Sequence, residues 1–165
     1  VGLAWTRRGL RRVQLPAATT AATRRRLLEG CKAAARPTSR APIWVERLVA
    51  QIRRHLGGWP QNFRGVPVDL SDGTEFERRV WRAVRRLRPG RTTSYGAVAR
   101  TVGRPRAARA VGRALGRNPV PLVVPCHRVV GANGALCGFS ACGGTALQRR
   151  LLALEGTERA GFASY

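Results

Sequence analysis

The stretch Ser94-Tyr95-Gly96-Ala97-Val98-Ala99-Arg100-Thr101-Val102-Gly103, followed by Arg104-Pro105 and Arg106-Ala107-Ala108-Arg109-Ala110-Val111-Gly112-Arg113-Ala114-Leu115-Gly116, decides the fold. Ser94 can cap a helix over Tyr95–Val102, and Gly103 ends it. Pro105 suits the opening of a second helix over Arg106–Leu115, stopped by Gly116. Two short helices around a tight Gly-containing turn outline a helix-turn-helix. Downstream, Val129-Val130-Gly131-Ala132-Asn133-Gly134-Ala135-Leu136 reads as strand-turn-strand with its bend at Asn133-Gly134, the wing of such a unit. A last helix runs from Ala146 to Leu154. Upstream, Thr74 caps a helix whose apolar stripe is Phe76, Val80, Val84 and Leu87, ended by Pro89-Gly90.

Further towards the start the pattern changes. Val1–Leu15 alternates loosely and breaks at Arg8-Gly9, predicting two strands and a turn. A short helix is expected near Thr23–Leu28, a longer one over Ile43–Leu56, and an extended segment over Val66–Leu70. The fold class is therefore α/β (α+β). Residues 1–70 form a small sheet-plus-helix domain and residues 71–165 a mostly helical one.

Composition narrows the function. The net charge is +23, which points to a polyanion, usually nucleic acid. Yet 30 of the 31 basic residues are Arg, as GC-rich coding would give. The excess is also even: 14 basic and 3 acidic groups lie in residues 1–70, and 17 and 5 in 71–165. Charge thus supports DNA binding without deciding it. No segment has the apolar length of a membrane span and no secretory signal is read, so a cytoplasmic, nucleoid-associated monomer is expected. Cys31, Cys126, Cys137 and Cys142 have neither disulfide-framework nor standard zinc spacing, so free thiols and no metal are expected.

Cys126-His127-Arg128, pinned between Pro125 and Val129, is arranged as a reactive thiol, since an adjacent base or cation raises the thiolate fraction near neutral pH. By itself the pair is weak, because most Cys-His neighbours are inert. The helix over 106–115 also reads two ways. Its Ala and Gly residues suit close approach to another helix or to DNA, with Arg106, Arg109 and Arg113 able to contact phosphates or fill a gap in stacked bases.

In one order the chain carries Phe76-Glu77-Arg78-Arg79-Val80-Trp81, Thr93-Ser94-Tyr95-Gly96, Ala107-Ala108-Arg109-Ala110-Val111-Gly112, Asn118-Pro119-Val120-Pro121, Pro125-Cys126-His127-Arg128-Val129-Val130 and Leu151-Leu152-Ala153-Leu154-Glu155-Gly156. Together these resemble the O6-alkylguanine-DNA alkyltransferase (methylated-DNA–protein-cysteine methyltransferase) family over residues 71–156. Thr6–Leu10 and Phe63–Leu70 match more loosely. The resemblance implies an RNase H-like first domain, shortened at its start, and a winged helix-turn-helix second domain. It implies irreversible transfer of the alkyl group from O6-alkylguanine in double-stranded DNA to Cys126 after base flipping, with no cofactor, and leaves O4-alkylthymine open as a second substrate. His127 would take the thiol proton through a water, Glu155 would orient His127, Asn118 would tie the active-site turn, and Tyr95 would donate to the leaving guanine. Helix 106–115 would enter the minor groove, with Tyr95, Gly96, Arg104, Arg109, Arg128 and Ser140 among the DNA contacts. Arg128 also looks structural, bridging the halves or fixing the active-site loop.

Departures from the family pattern are a two-residue insertion, Ala141-Cys142, beside the base pocket, and His55 where an aromatic is common. His55 is read as a helix-end residue. The alternative function is a non-enzymatic, alkyltransferase-like damage sensor, which lacks the acceptor cysteine. A winged-helix regulator would want polar base-reading side chains on 106–115, and a cysteine hydrolase has only the Cys-His pair in its favour.

Overall fold

The computed structural model describes residues 1–31, 38, 40–136 and 144–157. An antiparallel hairpin of β1 (Gly2–Thr6) and β2 (Gly9–Gln14) leads into α1 (Thr20–Glu29) and α2 (Ile43–Leu56). Then come α3 (Glu75–Val84), α4 (Tyr95–Thr101), α5 (Ala108–Gly116) and α6 (Gly144–Leu154). The two-residue strands β3 (Thr93–Ser94) and β4 (Val129–Val130) pair in parallel. The class is mixed α/β with small sheets, as the sequence predicts.

Gly9 makes the first long-range connection. Its φ is 134°, and a Cβ there would sit 2.5 Å from the Pro67 carbonyl carbon. Only glycine allows that approach without strain. Beside it Leu10 donates to the Pro67 carbonyl and Asp69 donates to the Leu10 carbonyl, both at 2.8 Å. The predicted extended segment is thereby stitched to β2. Asp69 is 6% exposed and accepts from Thr6 Oγ1 at 2.8 Å and Arg11 Nη1 at 3.1 Å.

Helix α3 starts in a capping box: Thr74 Oγ1 accepts from the Glu77 amide and Glu77 Oε2 accepts from the Thr74 amide at 2.8 Å. It ends at Val84, one turn before the predicted stop. Arg86 and Leu87 bond to carbonyls only three residues back, because Pro89 cannot accommodate an α-helical carbonyl four residues before it. Leu87 still packs on the core. Helix α5 likewise begins at Ala108 rather than Arg106, since Pro105-Arg106 turn under a bond from the Ala107 amide to the Arg104 carbonyl at 2.9 Å. Val129-Val130 pair with Thr93-Ser94 instead of with residues 135–136. The Asn133-Gly134 bend is present, closed by Gly131 donating to the Ala135 carbonyl at 2.8 Å.

One apolar cluster joins both halves. It takes Leu10 and Val13 from β2, Leu48 and Ile52 from α2, Val80 and Trp81 from α3, Val111 from α5 and Leu151 from α6. Each fully buried aliphatic side chain contributes about 1.5–3 kcal/mol. The Trp81 indole nitrogen donates to the Ala114 carbonyl at 2.8 Å, so the largest core ring is buried without an unsatisfied donor. Among the described residues no helix is long and apolar enough to cross a membrane.

Candidate active site

Cys126 opens a 3-10 turn, Cys126–Arg128, between α5 and β4. Asn118, just after α5, holds this segment. Its Oδ1 accepts from the Val120 amide at 3.0 Å, while Nδ2 donates to the Val124 carbonyl at 2.8 Å and lies 3.2 Å from Cys126 Sγ. A short side chain with both donor and acceptor can close a loop on itself and still reach the sulfur. Within the loop, buried Leu122 takes a positive φ of 73°, a strained conformation for a branched side chain. From outside, the Val13 amide of β2 donates to the Pro119 carbonyl at 2.9 Å. From α6, buried Gln148 donates to the carbonyls of His127 and Val129, both at 3.2 Å. Nothing in the sequence singles out Gln148 beyond a polar residue on the buried side of α6.

The structure brings His127 and Glu155 together. His127 Nε2 is 2.9 Å from Glu155 Oε1, and both side chains are almost wholly buried. Burial pushes the Glu155 carboxyl up, but hydrogen bonds from His127 and Arg128, together with their charges, outweigh it and hold the pKa down to about 2. An ionised carboxylate only accepts, so His127 Nε2 carries the proton and Nδ1 keeps its lone pair. Burial also lowers the His127 pKa below its ordinary 6.5, against the opposing pull of Glu155. His127 is thus a neutral base at neutral pH, and its Nδ1 has no hydrogen-bond partner among the described residues.

Cys126 departs from expectation. It is 9% exposed, and burial pushes its thiol up to about 11 despite the Asn118 donor. The resting sulfur is therefore a neutral thiol at neutral pH. Adjacency to His127 in sequence does not make it a thiolate, because the His127 Nε2–H faces Glu155.

Arg128, expected both as a DNA contact and as a structural residue, is 3% exposed. Its Nε and Nη2 grip Glu155 Oε2 and Oε1 at 2.9 and 2.7 Å, and Nη1 donates to the Leu87 carbonyl at 2.6 Å. These partners all lie beyond residue 70, an arrangement consistent with fixing the loop that carries Cys126.

His55, read from sequence as a helix-end residue, does lie in the last turn of α2 but is 0% exposed. Its Nδ1 accepts from the Gln61 amide at 3.1 Å, its ring meets Phe63 edge-on at 5.3 Å, and Nε2 lies 3.4 Å from Glu155 Oε1. The ligating atoms of His55, His127 and Glu155 lie within 4.8 Å of one another. Arg128 already occupies both Glu155 oxygens, and a cation would have to displace that guanidinium. The Glu155 carboxylate is thus satisfied by His127 and Arg128 without a cation, with His55 Nε2 close beside it.

Helix α5 has one packed face and one exposed face. Val111, Ala114 and Leu115 are buried, and a Cβ on Gly112 would come within 3.8 Å of the Tyr95 ring. The small residues thus pack against the neighbouring helix, while Arg104, Arg106, Arg109 and Arg113 are exposed. Tyr95 and Gly96, in the first turn of α4, are half-buried. Ser140, Cys137 and the Ala141-Cys142 insertion lie outside the described residues.

Residues 75–157 match the family described as 6-O-methylguanine DNA methyltransferase, DNA binding domain. The methylated-DNA–protein-cysteine methyltransferase of Mycolicibacterium paratuberculosis is 49% identical over 107 residues, covering 65% of this chain and 62% of that protein. The inducible enzyme of that name from Bacillus subtilis is 43% identical over 111 residues, 67% of this chain and 60% of that protein. The chain thus matches about three-fifths of the length of these relatives. The crystal structure of Mycobacterium tuberculosis OGT in complex with DNA superposes with a TM-score of 0.71 at 35% identity, covering 97% of this chain and 88% of that one.

Proposed function

Because the chain belongs to the 6-O-methylguanine DNA methyltransferase family, we propose that it repairs double-stranded DNA by moving the alkyl group of O6-alkylguanine onto Cys126. The observation that carries this reading is the pair of contacts Asn118–Cys126 and His127–Glu155, at 3.2 and 2.9 Å, made by neighbouring residues of one turn. It supplies a nucleophile, a base and an orienter.

The thiol proton passes through a water to His127 Nδ1. The sulfur, stabilised by Asn118 Nδ2, then attacks the alkyl carbon in line. The carbon–O6 bond breaks, its electron pair passes into the guanine, and Tyr95 donates to the base as negative charge develops. A thioether remains on Cys126. No group at the site can remove it, so each chain acts once and needs no cofactor. A thiol with a pKa of about 11 fits this use: it stays unreactive until a substrate in place makes proton loss worthwhile.

Residues 71–157 act in this reading as a winged helix-turn-helix, with α5 in the minor groove. Arg109 fills the place of the rotated base, and Arg104 lies on the backbone. Flipping costs a few kcal/mol, which is least for a weakened pair. Residues 1–70, read as an RNase H-like unit, buttress the site through Val13 and His55, and the protein acts as a monomer. The alternative of a non-enzymatic damage sensor is disfavoured by the presence of Cys126, held by Asn118 beside His127. The test is peptide mass spectrometry after incubation with a duplex carrying one O6-methylguanine. One added methyl on the Cys126 peptide, absent from Cys126→Ala, is expected. Tight binding with the lesion intact would instead identify a sensor.

A further inference from the structure

His55 is a buried titratable group beside the site that the transfer chemistry leaves unused. Its Nδ1 accepts the Gln61 amide proton at 3.1 Å, so in the neutral ring the proton sits on Nε2. That nitrogen lies 3.4 Å from Glu155 Oε1, longer than a well-formed hydrogen bond, and has no other partner among the described residues. The same oxygen receives His127 Nε2 at 2.9 Å and Arg128 Nη2 at 2.7 Å.

From this arrangement we propose that His55 is a positioning residue of the transfer step, its Nε2–H set against the Glu155 oxygen that orients His127. The proposal rests on the functional reading above and adds α2 to the machinery. Three donors share Oε1, and each diminishes the negative potential available to the other two. When His127 takes up the thiol proton it becomes a cation next to Glu155. The His55 N–H dipole then presents its positive end to that pair and opposes the charge. His55 thereby keeps His127 from holding a proton at rest, so that the base is free when substrate arrives. The charged and titratable groups facing His55 are Glu155, just after α6, and His127 and Arg128 of the 3-10 turn. Phe63 covers the ring edge.

Two amide substitutions separate the ring's two bonds. In His55→Gln the amide nitrogen stands near the position of Nε2 and keeps the donor to Glu155. In His55→Asn the amide oxygen stands near Nδ1, keeping the Gln61 bond while the donor is lost. The experiment is single-turnover methyl transfer from an O6-methylguanine duplex by the full chain, over about pH 5–9, with thermal melts as a control. Transfer requires neutral His127, so the rate falls on the acid side as His127 titrates. The Gln profile should overlie that of the wild type. The Asn variant should move the acid limb up by about half to one pH unit, slowing transfer about three- to tenfold there and leaving the high-pH plateau unchanged. Should the Asn variant not fold, His55→Phe lacks the same donor and is read the same way. Identical limbs in all variants, or shifts that follow melting temperature alone, overturn the proposal. A wild type that transfers no methyl at any pH overturns the functional reading, and the proposal with it.

Discussion

Replacing Glu155 with Gln removes the one negative charge in a buried set that also contains Arg128, His127 and His55. The Arg128 guanidinium is left with an amide and the Leu87 carbonyl. The magnitude follows from the carboxyl's own titration. Its pKa stands at about 2 when folded against an ordinary 4.5, which corresponds to about 3 kcal/mol of stability at pH 7. Breaking a buried ion pair from one side costs about 3–5 kcal/mol by an independent route. Because the folded pKa is depressed, the stabilisation is complete above about pH 4.5 and is lost as pH falls towards 2, so about half of it remains at pH 3. Guanidinium unfolding of wild type and Glu155→Gln should therefore differ by about 3 kcal/mol at pH 7 and by about half that at pH 3. A difference below about 0.5 kcal/mol at pH 7, or one that does not change with pH, would refute the reasoning.

Three further outcomes follow from the site. In DNA-free protein, alkylation of Cys126 by iodoacetamide should rise about tenfold per pH unit and level off only near pH 11; a plateau near pH 8 would contradict the effect of burial. Asn118→Ala removes the donor to Sγ and should slow single-turnover transfer about 10- to 100-fold, whereas a change under about twofold would reduce Asn118 to a packing role. Arg109→Ala should slow transfer from fully paired duplex while leaving iodoacetamide alkylation unchanged, and the loss should shrink when the lesion sits in a single strand. Equal losses on both substrates would remove Arg109 from base flipping.

Elements whose ends carry their own chemistry were legible in the sequence. Thr74 and Ser94 mark their helix starts because a hydroxyl can satisfy an orphan amide locally, and Ile43–Leu56 appears where its apolar spacing puts it. The Asn118, Cys126, His127 and Glu155 set came from resemblance, and the distances among these residues are consistent with it. Tertiary competition decided what was missed. The strand Val129-Val130 chose β3 over its own hairpin arm, and pairing partners so distant in sequence leave no local mark. His55 has an ordinary sequence context, and its place beside Glu155 arises only when α2 and the end of α6 converge. The neutral state of Cys126 depends on burial, which adjacency to a histidine does not report.

The central claim is that Cys126 is both nucleophile and final acceptor. Its most direct test is a titration of the protein with an excess of duplex carrying one labelled O6-methylguanine, followed to completion. The account predicts that transfer stops at one methyl per chain, all of it on Cys126. Continued release of repaired DNA beyond one equivalent, or a label on any other residue, would contradict it.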